Sequence, residues 1–138
     1  MKAFALLIPV MLVAWSGPVA AQEPAPAFNL PEAINHIQLQ LNGGTVVATA
    51  ANPADPMNIL AIQSRLAQMA MIGVPELKVL GDTVKYSFEP TADGAQLLIR
   101  TDDRAVLNSI HYLLRREIRT LETGDSDRVD VPYGPTTR

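Results

Sequence analysis

Cysteine is absent from all 138 residues. No disulfide can staple this chain, no thiolate can ligate a metal, and no acylated N-terminal cysteine can anchor it to a membrane. An excess of positive charge is missing too: 11 Lys and Arg stand against 14 Asp and Glu, a net charge of −3. Nucleic-acid binding normally shows a basic domain, so that class is excluded. Long apolar runs are absent except at the N-terminus, where Ala3 to Trp15 is almost unbroken. Met1-Lys2 is a short positive start to that run, Gly17-Pro18 breaks it, and Val19-Ala20-Ala21 supplies small residues for cleavage. This is the pattern of a secretory signal over residues 1–21. The run is shorter than the ~20 apolar residues of a spanning helix. The expectation is therefore export to the periplasm, cleavage after Ala21 and no stable membrane span afterwards.

Removal of 21 residues leaves 117, with 10 basic and 14 acidic side chains and a net charge of −4. That length supports one modest core. Residues 22–34 are rich in proline and alanine and read as an extended tether. Residues 125–138 are polar with two prolines and read as a flexible tail.

Between them, residues 35–124 tell one structural story twice. Ile37, Leu39 and Leu41 alternate with polar neighbours, Asn42-Gly43-Gly44 marks a turn, and Thr45 to Ala50 continues the alternation. Asp55 then offers an N-cap, with Pro56 at the first helical position. Ile59, Ile62, Leu66 and Met69 make one helical stripe that ends at Gly73. Glu76 to Leu80 reads as a short strand or a connector. The second copy follows. Val84, Tyr86 and Phe88 alternate with Lys85, Ser87 and Glu89, Ala92-Asp93-Gly94 turns, and Gln96 to Thr101 returns. Asp102 or Asp103 caps a helix whose apolar stripe is Leu107, Ile110, Leu114, Ile118 and Leu121.

One such unit cannot bury its own apolar side, so the two must share a core. The fold class expected is α+β: a two-layer sandwich of order ββαββα, with a four-stranded antiparallel sheet and both helices on one face. The other sheet face carries Gln38, Gln40, Lys85, Glu89, Gln96 and Arg100, with Val47 and Leu98 among them. It is left for water, for a partner or for a homodimer contact.

Candidates for chemistry are few. Arg104, His111, Arg115, Arg116 and Arg119 form a basic stripe on the second helix. Guanidinium groups at this spacing can grip a carboxylate or phosphate, or face a protein partner. The ordinary alternative is a solvated face whose cations complement the helix C-terminus. His36 and His111 are the only histidines. A metal site needs three or four ligands of fixed geometry, and neither histidine has neighbours in sequence that supply them. Met57, Met69 and Met71 could offer soft thioethers to a copper-type ion, but Met69 and Met71, two apart, point to different sides of a helix, and adaptable core filler is the stronger reading. Gly43-Gly44 opens no helix and is no phosphate loop, and Ser64, Ser87 and Ser109 lack the setting of a nucleophile elbow. No catalytic constellation and no cofactor motif is present, which points away from an enzyme.

The runs "LNGGTVVATAANPAD", "LLIRTDDRAVLNSIHYLLRREI" and "LETGD" resemble a group of small exported proteobacterial proteins of unassigned function. Some of that group carry an aspartate carbamoyltransferase label that nothing in these residues supports. The resemblance spans about Ile34 to Asp125. It implies a histidine-richer pattern that His36 and His111 fit, whereas Arg65 stands where a helix-one histidine is typical and "GVPELKVLGD" is a shortened linker. The functional expectation is an exported, non-enzymatic binding or protein-interaction module. Its partner would be a protein or a small anionic ligand, with a periplasmic metal-binding or stress-linked protein as the alternative.

Overall fold

The computed structural model of the chain describes residues 26–30 and 32–130. The secretory signal expected over residues 1–21 lies outside the described residues. The chain forms β1 (Ala33–Gln40), β2 (Gly43–Ala50), α1 (Pro56–Ile72), α2 (Pro75–Lys78), β3 (Lys85–Thr91), β4 (Gly94–Arg100), α3 (Arg104–Thr120) and β5 (Val129–Asp130). It is the α+β two-layer sandwich expected: an open antiparallel sheet with two long helices packed on one face. The order across the sheet is β3-β4-β2-β1-β5, with the inner strands β2 and β4 of the two hairpins side by side.

Local chemistry accounts for the elements. The Asp55 carboxylate accepts from the Met57 amide, and Pro56 presets the first turn of α1. The Asp103 carboxylate accepts from Ala105 and Val106 at the start of α3. Both hairpins close on two residues, Leu41-Asn42 and Ala92-Asp93. Glu76 to Leu80 forms no strand; Pro75 and Val74 start a one-turn helix instead.

The duplication extends to single atoms. The Asn42 carbonyl accepts from the Thr101 amide at 2.9 Å, and the Asp93 carbonyl accepts from the Ala50 amide at 2.8 Å. Asn42 corresponds to Asp93, and Ala50 to Thr101. Each hairpin turn is thus clamped by the end of the other hairpin. Gly43 and Gly94 stand at corresponding positions. A Cβ on Gly43 would lie 1.8 Å from the Ile99 carbonyl oxygen, and one on Gly94 1.9 Å from that of Ala48. Only glycine lets β2 and β4 approach this closely.

Each helix lies largely over the other half's hairpin: α1 packs on β4 and β3 as well as β2, and α3 on β1 and β2. One apolar layer results. Ile62 and Leu66 of α1 and Ile110 and Leu114 of α3 are fully buried in the same cluster as Leu39, Val46, Leu97 and Ile99. Each such side chain contributes about 1.5–3 kcal/mol of burial.

Both ends of the domain differ from expectation. The tether read over residues 22–34 is not free at its end, because Phe28 and Leu30 are buried in the core and β1 starts at Ala33. The Phe28 amide donates to the wholly buried Glu117 carboxylate. At the other end, Asp125 to Asp130 is docked, and Val129 and Asp130 pair in parallel with Leu39 and Gln40. This adds a two-residue fifth strand to the four expected. Met57 and Met71 are exposed, so only Met69 serves as core filler.

Candidate functional site

The basic stripe does not exist as a unit. His111 was expected beside the arginines of α3 and is instead buried. Its Nε2 lies 2.7 Å from the Gln40 carbonyl and 3.0 Å from the Gly43 carbonyl. Carbonyls only accept, so Nε2 carries a proton and donates to both. His111 therefore closes the first hairpin from the core side and is unable to meet an anion. Arg116 donates to Glu76 at 2.7 Å and to Glu117 at 3.2 Å. The Glu76 hydrogen bond, then that of Glu117, holds the guanidinium proton more tightly than usual despite partial burial. Arg116 joins α2 to α3 and is neutralised there. Arg115 donates from Nε to the Asp127 carbonyl and holds the tail. Arg104 and Arg119 remain exposed, near opposite ends of a 17-residue helix. Five residues read as one surface are thus divided among three structural roles and two solvated ends.

The two histidines lie on opposite sides of the sheet. His111 is in the helix layer, whereas His36 alternates with core-facing Ile37 and projects from the open face. They cannot share an ion. Among the described residues no group of three or more His, Asp or Glu side chains could hold a metal.

The open face itself carries a groove. It has a volume of about 570 Å³, with His36, Gln38, Thr45 and Val47 on the sheet and Asp125, Ser126, Arg128 and Val129 on the docked tail. The tail makes one wall, and its anchor is Asp125. One oxygen of that carboxylate accepts from the Ile37 amide at 2.8 Å, and the other lies 3.1 Å from His36 Nδ1. The Asp125 amide donates to the Thr123 hydroxyl. Burial opposes ionisation of Asp125, but hydrogen bonds from Ile37, Thr123 and His36 outweigh it and hold the carboxyl below its ordinary value. His36 is held at Nδ1 by this contact, and its side chain is otherwise largely exposed. Val47 gives the groove an apolar floor, and Arg128 brings a cation to its wall.

The sequence pattern gave no signal for this wall. Asp125 is 88 residues from Ile37 in the chain, and a polar, proline-containing tail reads as loose whether or not one aspartate in it finds an amide. Among the described residues no helix is long and apolar enough to cross a membrane. No family model matches the chain, and neither a curated protein nor a solved structure matches it.

Proposed function

We propose that the protein is an exported, non-enzymatic binding module, and that the groove on the open sheet face is where it takes its ligand. The observation that carries this reading is the built wall: Asp125 fixes the tail beside β1 and contacts His36, and this borders an open groove of about 570 Å³ on a face the helices leave uncovered. That volume lies in the range of small-ligand sites. Arg128 suits an anionic head group, and Val47 with Val129 suits an apolar body. A small organic carboxylate fits both features.

Export rests on the N-terminal pattern of residues 1–21. N-terminal sequencing of protein recovered from the periplasm of an expressing Gram-negative cell should begin at Gln22; intact Met1 in the cytosol would overturn that part. For the groove, the probe is benzoate, followed by amide chemical shifts. Saturable shifts at Gln38, Thr45, Val47 and Arg128, lost in Arg128→Gln, are expected. Shifts absent or scattered would overturn the site. Sedimentation run alongside tests the competing occupant, a second copy of the chain on the open face.

A further inference from the structure

The two halves act as controls for each other, because residues the fold itself requires recur at corresponding positions. Gly43 with Gly94, and the Asn42 and Asp93 clamps, are such pairs. A contrary case stands at one rung of the second hairpin. Lys85 and Arg100 face each other directly in the β3–β4 ladder, whereas the corresponding rung of the first hairpin is Ile34 opposite Thr49. The fold is satisfied by an uncharged pair at this rung. Two cations placed directly opposite repel and destabilise the ladder.

Lys85 and Arg100 project from the open face into a cleft of about 870 Å³ at the end of the sheet, with Ser87 beside them. Asp82, Asp102 and Asp103 line the same cleft. Asp103 is committed to the first amides of α3. Among the described residues Lys85 donates to the Asp82 carbonyl alone, at 3.4 Å. Among the described residues, the ion pairs are those of Arg116 with Glu76 and Glu117, and the remaining contact between a basic side chain and a carboxylate is His36–Asp125. The cleft therefore holds cations and carboxylates that do not pair with each other. An anion alone would meet the repulsion of the carboxylates, and a cation alone that of Lys85 and Arg100.

The geometry points to a second ligand site here, for a small zwitterion. Its oxyanion is held by Lys85 and Arg100, with Ser87 as hydroxyl donor, and its ammonium group by Asp82 and Asp102. This site is separate from the His36 groove, which lies over β1 and β2, and stands or falls independently of it.

Aminoethyl phosphate is the probe, compared with inorganic phosphate and ethylammonium, which carry its two charges separately. Amide shifts are followed in the full-length processed protein. The expected result is saturable binding of aminoethyl phosphate at Lys85, Ser87, Arg100 and Asp102, at least about tenfold tighter than either half-probe. Arg100→Gln and Asp102→Asn should each weaken it by about tenfold while leaving the far-ultraviolet circular dichroism unchanged. Equal binding of inorganic phosphate or of ethylammonium would overturn the zwitterion assignment. Absence of saturable binding by any probe would overturn the site.

Discussion

Gln63 and His111 do one job in two halves of the molecule. Gln63 Nε2 donates to the Thr91 and Gly94 carbonyls at 3.1 and 3.0 Å, and His111 Nε2 to the Gln40 and Gly43 carbonyls at 2.7 and 3.0 Å. Both residues stand eight positions after the capping aspartate of their helix, and each closes the hairpin of the opposite repeat. An amide and an imidazole supply the same N–H. This equivalence gives His111 a structural reason to be buried.

His111→Gln should therefore be nearly silent, with a stability loss below about 1 kcal/mol in urea denaturation. His111→Ala leaves two carbonyls without their donor and should cost about 2–3 kcal/mol. A glutamine as damaging as alanine would contradict the equivalence.

Gly43→Ala and Gly94→Ala should damage the protein alike, because each Cβ falls on a backbone carbonyl of the neighbouring strand. Losses above about 4 kcal/mol, or failure to fold, are expected for both. Gly81→Ala is the contrast: its φ of 92° is strained for alanine, but nothing lies within 4 Å. It should cost only about 1–2 kcal/mol.

Asp125 makes stability depend on acid pH. Its carboxyl ionises below the ordinary value of 3.8 in the folded protein, so the native state favours the charged form. The contribution is complete above the unfolded-state value and is lost as pH falls through the lower folded-state value. The stability gap between wild type and Asp125→Asn should shrink steadily between about pH 5 and pH 2 in denaturant titrations. A constant gap would detach Asp125 from the ionised contacts described.

Glu117 occupies the position that Met69 has in the first repeat, so a thioether suits the site sterically. Glu117→Met should still cost about 1–3 kcal/mol, because the Phe28 amide loses its acceptor. Hydrogen exchange at Phe28 should accelerate with it. Unchanged exchange there would mean that the N-terminal segment is held by packing alone.

The layers and the order of elements were legible because they depend on local chemistry. Asp55-Pro56 marks a helix start, the Ile62/Leu66 and Ile110/Leu114 spacings mark one buried side, and Lys85 to Glu89 alternates. Long-range pairings were not legible. Polar His111 reads as a surface residue until the Gln40 carbonyl, 71 residues away, is brought to it. Arg116 reads as one of a stripe until Glu76 and Glu117 absorb it. Phe28 and Leu30 carried a signal that prolines masked: isolated apolar residues in a tether have a reason to dock. Asp125 carried none, since its value lies wholly in the Ile37 amide and His36 it meets.

The account depends most on the reciprocal clamps making the two repeats one cooperative unit. Native-state hydrogen exchange of the Ala50 and Thr101 amides measures this directly, because each donates to the other half's turn. Both should exchange only through global opening, with equal free energies that match the denaturation value. Exchange of one amide through a smaller opening, with the other still protected, would show that the halves unfold separately and that the shared core is not what holds them.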